Sequence, residues 1–278
     1  MAETKRICDY EGSNYRTDFW EGQGRDYEDL AERIALRRLL PRSGNRLIDI
    51  GGGFGRLSEF YTGYDQAVLL DYSISLLRQA QARLSDQDRI IYVAADFYNL
   101  PFVNGAFDTA MLVRVIHHVE QVPAFLQEVG RISAAGGSCV LEFANKRHLK
   151  AIFRYALRLQ AWSPFDREPY EFAEMNFDFH PAWMRERLEA ARFHVKRTRT
   201  LSHFRLPFLK RLIPPRILAA ADGLLQPTGG WWQLTPSVFL LCTVDNLSAA
   251  PLSGRLFRCP FCKSDDLHEL ANVLACEG

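Results

Sequence analysis

No stretch of this 278-residue sequence stays apolar for the length of a bilayer, so no membrane-spanning helix is expected. Neither sign of charge is in excess. The 34 Lys and Arg against 33 Asp and Glu leave a formal +1, which argues against whole-molecule attraction to nucleic acid but leaves room for a local basic face. There is no internal repeat and no low-complexity segment. Met1 to Tyr10 does not read as a signal peptide, and cytoplasm is the expected compartment. Cysteine is scarce, at six. Cys8, Cys139 and Cys242 stand alone, the last two in apolar runs where buried, inert thiols are expected. What is present, 47% hydrophobic and 24% charged residues, is an ordinary globular composition able to bury a sizeable core.

The chain is organised around Arg46 to Leu57, RLIDIGGGFGRL. Leu47, Ile48 and Ile50 suit a buried parallel strand. Gly51, Gly53 and Gly55 permit a tight turn and close approach of a ligand to bare backbone. A helix is expected from about Phe54 or Gly55, running Arg56 to Thr62, with its free N–H groups aimed at that ligand. A dinucleotide is disfavoured on two counts. A G-x-G-x-x-G frame fails, because Arg56 or Ser58 occupies the third glycine position. Asp49 also stands two residues before the first glycine, where it would repel a pyrophosphate but hold an ammonium and a sulfonium.

Further strands end in acids. Ala67–Asp71 would place Asp71 beside a ribose, or cap a helix over Ser73–Leu84, with Tyr72 next to it to stack on an adenine. Ile90–Phe97 would place Asp96 against the adenine amino group and the Phe97 N–H against a ring nitrogen. Phe107–Arg114 leads into Val115-Ile116-His117-His118, a helix over Pro123–Ser133 follows, and Gly136-Gly137 turns into a fifth strand, Ser138–Phe143. Such alternation predicts a doubly wound α/β sheet that binds ligands at its strand carboxyl ends.

In order and spacing, Asp49–Gly55, Asp71, Asp96, the Phe107-Asp108 strand with its His117-His118 exit, and Gly136-Gly137 resemble the class I S-adenosylmethionine (SAM) methyltransferases. The resemblance is to the small-molecule branch that includes ubiquinone and menaquinone methyltransferases. It covers roughly residues 25–145, with a weaker echo to about 245, and departs at Gly52, a position where that family tolerates many residues. It implies a Rossmann-like seven-stranded sheet with its last strand antiparallel. It also implies Asp49, Gly51, Gly53 and Gly55 at the methionine end of SAM, Asp71 and Tyr72 at the nucleoside, and Asp96 with Phe97 at the adenine. Arg114 and Tyr27 complete the expected cofactor set.

Around this core the expected units are an N-terminal lid (1–28), a methyltransferase domain (29–246) with cap insertions at 146–192 and 203–235, and a tail (252–278). Asp26 would cap a helix through Leu39, ended by Pro41, with Tyr27 and Arg25 facing the entrance. In the cap, Lys146–Trp162 reads as a basic amphipathic helix with Leu149, Ile152, Phe153, Ala156 and Leu157 on one face. Phe204–Leu225 reads as a second, interrupted at Pro214-Pro215. The ordinary outcome is a cap packed on the core with its charges in water. The alternative is a peripheral membrane surface suited to a lipid-like acceptor.

Cys259-Pro260-Phe261-Cys262 and Cys276, around a hairpin turning at Ala271-Asn272, read as a zinc ribbon lacking its fourth ligand. It resembles the ribbons of the methyltransferase-activating family and of some ribosomal RNA guanine methyltransferases. His268 is a weaker fourth candidate. Zinc would be weakly bound or absent.

SAM chemistry needs the acceptor held in line and water excluded, which supplies roughly 7–11 kcal/mol of barrier lowering. His117 and His118 lie where a base is wanted, with Glu142 and His180 as further candidates. The expected function is therefore methyl transfer to an oxygen, nitrogen or carbon nucleophile of a small or lipid-like molecule. The alternatives are an RNA methyltransferase gripping RNA with its ribbon and basic cap, and a non-catalytic SAM-binding or partner-activating module.

Overall fold

In the computed structural model, which describes residues 6, 10–85, 87–246, 254–264, 268–270 and 273–275, side-chain alternation along the strands decides the layering. Helix α1 (Asp26–Leu39) precedes β1 (Gly44–Ile50), β2 (Tyr64–Asp71), α2 (Ile74–Arg83), β3 (Ile90–Ala94), β4 (Phe107–Leu112), α3 (Val122–Ile132) and β5 (Ser133–Ala144). The cap follows as α4 (Leu149–Ala156), a small hairpin of β6 (Tyr170–Ala173) and β7 (Asn176–Asp178), and α5 (Pro181–Ala190). The chain then forms β8 (Phe193–Leu201), α6 (Pro207–Leu212), α7 (Pro215–Leu225) and β9 (Ser237–Val244). Ile48, Val68, Ala110 and Cys139 face one side and join α3 and α5 through Phe125, Leu126, Met184 and Leu188. Their neighbours Leu47, Leu69, Met111 and Val140 face the other, against α1, α2 and α7 through Ala35, Leu36, Ala80 and Leu218.

The sheet order is β3-β2-β1-β4-β5-β9-β8. The strands from β3 to β5 are mutually parallel, and β9 runs antiparallel to both its neighbours. The seven-stranded doubly wound sheet expected from the sequence is thus present, and its strand order reverses between β1 and β4. That reversal opens a crevice above their carboxyl ends. Cys139 and Cys242 are both buried thiols paired in register across β5 and β9.

Three local expectations are corrected. No α-helix follows the glycine turn: residues 51–57 are turns, followed by one 3-10 turn, Ser58–Tyr61. Gly51, Gly53 and Gly55 all have positive φ (71°, 54° and 74°), and backbone that repeatedly enters the left-handed region cannot start a right-handed helix. The first cap helix is only Leu149–Ala156, ended by Arg158 at φ 56°. Its apolar stripe does not pack inward. Leu149, Phe153 and Leu157 are exposed, and Ala151 is its buried residue.

The described part of the tail lies along the loop before β4. Val103 N–H donates to Leu256 O and Arg258 N–H to Pro101 O, and the rings of Phe102 and Phe257 stack. The strands β10 (His268–Leu270) and β11 (Val273–Ala275) form an antiparallel hairpin with Leu270 opposite Val273.

Candidate functional site: a cofactor cleft beside a larger cavity

The glycine turn is held by packing as much as by conformation. A Cβ on Gly51 would sit 2.3 Å from Val115 Cγ2, and one on Gly55 2.9 Å from Leu84 Cδ1. At Gly53 the nearest side-chain atoms are 3.9 Å away, so this residue leaves space for a ligand. Its N–H points to Asp71, donating to Oδ2 at 2.8 Å, while the Ser73 N–H donates to Oδ1 at 2.9 Å. Ser73, not Asp71, caps α2, accepting from the Leu76 N–H.

Asp49 is buried at the end of β1, with the Tyr61 hydroxyl donating to its Oδ2 at 2.5 Å. Burial raises its pKa to about 7, the Tyr61 hydrogen bond and Arg56 oppose that shift, and Asp71 adds to it. It lines a narrow cleft with Gly51, Gly52, Gly53, Tyr15, Trp20 and Arg114. A second narrow cleft continues past the glycines, walled by Asp71, Tyr72, Leu76 and Phe97. Tyr15 and Arg114 border both. The roof is the segment before α1. Its single π-turn (Arg16–Trp20) buries Trp20, over which Arg56 lies at 3.8 Å.

Arg114 marks the boundary with a third space, a cavity of about 420 Å³. Its backbone has φ 61°, its N–H donates to Glu142 Oε2 at 3.1 Å, and its guanidinium is paired with Glu32 of α1 at 2.5 Å. His117, His118, Glu142, His148, Asp178 and Arg205 are among the cavity walls, with Tyr10, Tyr15 and Arg25 contributed by the N-terminal segment. The two histidine rings are 4.0 Å apart. His118 is engaged at both nitrogens, with Met175 O at 2.9 Å and the Tyr10 hydroxyl at 3.2 Å. His117 Nδ1 is buried without a hydrogen-bond partner among the described residues. Burial lowers the pKa of both imidazoles, which favours their neutral forms. Glu142 is raised by burial and has both oxygens occupied, by the Arg114 N–H and the Ser237 hydroxyl. Asp178 is raised to about 6 by burial and by the neighbouring Glu142.

Residues 48–141 match a family described as the methyltransferase domain. The chain is 30% identical over 170 residues to the ubiquinone/menaquinone biosynthesis C-methyltransferase of Pseudomonas savastanoi, spanning 55% of this chain and 65% of that protein. The protein of the same name from Coxiella burnetii is 30% identical over 163 residues, again over 65% of its length. The chain therefore spans slightly less than two thirds of these curated relatives. Among solved structures, a complex between a Haloferax volcanii methyltransferase activator and a putative methyltransferase contains a chain that superposes with a TM-score of 0.57. That match has 18% identity and covers 82% of this chain and 97% of that one. A SAM-dependent methyltransferase from Mesorhizobium loti gives a TM-score of 0.54 at 19% identity, covering 78% and 99%. The fold is that of the class I SAM-dependent methyltransferases.

On this methyltransferase fold, Asp49, Gly51, Gly53, Asp71, Tyr72, Phe97 and Arg114 all border the two clefts, and His117 and His118 border the adjoining cavity. Gly55 stands behind the turn, where it makes room for Leu84 and Leu69. Gly52 is tighter than the resemblance implied, since a Cβ there would meet Asp49 Oδ2 and Leu69 Cγ at 3.0 Å. Phe97 belongs to the cleft wall, whereas the Asp96 carboxylate accepts the Tyr98 N–H at 2.9 Å in a local turn.

Tyr27 is a correction. It is buried under α7, donating to Asp222 at 2.6 Å and accepting the Phe204 N–H at 3.0 Å, so it ties elements together rather than facing the entrance. Its neighbour Arg25 does reach the cavity. His180 is also structural, its Nδ1 accepting the Ala182 N–H as the N-cap of α5. Tyr15 and Trp20 lie in the segment expected as a lid, and the structure sets them at the cleft walls, whereas Tyr10 and Asp178 were not expected there. The same aromatic density extends back to Tyr10, and nothing local marks Asp178.

Cys259 is buried and Cys262 exposed, in a turn where the Lys263 N–H donates back to Cys259 O and Lys263 has φ 62°. Cys276 lies outside the described residues, as does the turn at Ala271-Asn272. Among the described residues no group of three His, Cys, Asp or Glu side chains is placed to hold a metal.

Proposed function

We propose that this chain transfers a methyl group from SAM to a nucleophilic atom of a small or lipid-like acceptor held in the 420 Å³ cavity. The observation that carries the reading is Asp49. A buried carboxylate with a single hydroxyl donor, raised to about 7, is a group that lacks a cation. An ammonium placed against it removes the penalty, and the adjoining cleft offers the Asp71 carboxylate and the Tyr72 and Phe97 rings to a nucleoside. When bound, SAM supplies an activated methyl on a sulfonium. The chain's own task is to align the acceptor, shed water and receive a proton.

For that last step Asp178 is favoured over the histidines. His118 is held at both nitrogens, whereas Asp178 faces the cavity with a pKa near 6, poised to accept a proton near neutrality. Isothermal titration with SAM tests the first part of the proposal, and release of S-adenosylhomocysteine across a panel of phenols, quinols and acids tests the second. Absence of SAM binding at micromolar protein would reject the function outright.

The zinc expectation rests on the spacing of Cys259, Cys262 and Cys276 alone, since no three-ligand group is placed for a metal among the described residues. Two described thiols do not make a four-coordinate site, and no catalytic step is assigned to a metal. Metal analysis of the chain, and of one with a cysteine appended after Gly278, decides the matter. Near-zero zinc in both rejects the ribbon.

A further inference from the structure

The exposed bulky apolar side chains are not scattered. Among the described residues all but Tyr72, Ile74 and Phe261 fall between positions 149 and 232, in the cap. Leu149 and Phe153 of α4 and its C-cap residue Leu157 follow one another at four-residue spacing and are exposed. On α6, Phe208 and Leu212 do the same, and Trp231 and Trp232 are 84% and 71% exposed. The start of α4 adjoins the Trp231-Trp232 segment, since the Leu149 N–H donates to Leu234 O, two residues beyond Trp232. Exposed apolar side chains concentrated in one part of a chain mark an interaction surface.

Two segments of this surface carry charge of one sign, while Asp166, next to the exposed Phe165 whose ring meets Tyr155 at 6.3 Å, puts an acid at its edge. Residues 146–162 and 203–221 contain Lys and Arg but no Asp or Glu, in a chain whose overall charge is only +1. Lys210 is paired with Glu28. Lys150, Arg154, Arg158, Arg211 and Arg216 have no carboxylate partner among the described residues. Both helices also root in the cavity wall. His148 caps α4, Arg205 stands one residue before the N-cap of α6, and both side chains line the 420 Å³ space.

We propose that this face docks on an anionic lipid bilayer, with the helices α4 and α6 and the Trp231-Trp232 pair seated at the headgroup level, so that an amphiphilic acceptor passes from the membrane into the cavity. The docking stands on the exposed residues alone; the passage of an acceptor rests on the methyltransferase reading. Tryptophan and phenylalanine fringed by lysine and arginine are the composition of an interfacial surface. A nucleic-acid surface needs the cations but gains nothing from exposed Leu149, Leu157 and Leu212.

The test is co-sedimentation with vesicles of phosphatidylglycerol and phosphatidylcholine, against vesicles of phosphatidylcholine alone. The expected result is binding to the anionic vesicles, weakened at least about tenfold on neutral vesicles and by high salt. The double variant Trp231→Ser/Trp232→Ser, and separately Arg154→Glu/Arg211→Glu, should each lose about tenfold or more in binding, with melting temperature and SAM affinity unchanged. No binding of the unmodified chain to anionic vesicles overturns the proposal, as does equal binding by all variants. A patch that instead mediates self-association or RNA binding, without vesicle binding, overturns it too. Vesicle binding without SAM binding retains the surface and rejects the methyltransferase reading; the converse result does the reverse.

Discussion

Asp49 keeps its proton up to about pH 7 because the fold removes it from water and gives it one hydroxyl in return. With the folded value raised above the ordinary carboxylate value, the linkage has a definite sign. The contribution to stability is fully present below pH 3.8 and is lost as pH rises through 7. Asp49→Asn keeps an acceptor for Tyr61 and removes the titration. Its melting temperature should therefore gain on the parent chain between pH 5 and pH 8, while its SAM affinity falls at least about tenfold by titration calorimetry. For the parent chain the ligand's ammonium needs the ionised carboxylate, so SAM should bind several-fold more weakly at pH 6 than at pH 7.5.

The glycines separate two roles at the same scale. Gly51→Ala forces a methyl into Val115 at a positive φ and should cost about 2–4 kcal/mol in chemical denaturation. Gly53→Ala meets Asp71 and Leu76 only at ordinary contact distance and should cost about 1–2 kcal/mol through its positive φ, yet narrow the cleft. At Asp178, substitution by Asn should lower methyl transfer while leaving SAM affinity intact, and parent activity should fall as pH drops below about 6.

Among the elements, α1 and α7 illustrate how one hydroxyl stitches a fold. Tyr27→Phe leaves the Asp222 carboxylate and the Phe204 N–H each short of a partner, and should cost about 1–3 kcal/mol with no change in SAM affinity. An effect on affinity equal to the effect on stability would return Tyr27 to the site. The strands themselves were legible because apolar runs, acids at strand ends and glycine turns are local signals, whereas the seven-stranded sheet with its antiparallel last strand came from the family resemblance, and the order β3-β2-β1-β4-β5-β9-β8 from the structure. The cap was legible only as amphipathic. Periodicity says that α4 has an apolar stripe, but not whether protein, water or another phase covers it, and the structure turns that stripe outward. Tyr27 was misjudged for a related reason. Its position one residue into a helix near the entrance is visible in the sequence, but its partner, Asp222, lies 195 residues away. Asp178 likewise depends on a small hairpin, β6 and β7, whose pairing no spacing rule announces.

In the whole molecule, the described part of the tail is held against the loop before β4 by the stack of Phe257 on Phe102 and by backbone hydrogen bonds. Phe257→Ala should free the tail from Phe102 and speed proteolytic removal of residues beyond 250, with SAM affinity retained, as mass spectrometry of a limited digest would register. The position of β9 has a consequence in time. It is the last strand of the large sheet to be made, yet it lies between β5 and β8 and is β8's only neighbour there among the described residues. On the ribosome, therefore, β5 keeps an open edge and β8 has no place in the sheet until residues 237–244 have left the exit tunnel. A nascent chain arrested before that point carries the glycine turn and both cavity histidines, but it should need a chaperone to stay in solution.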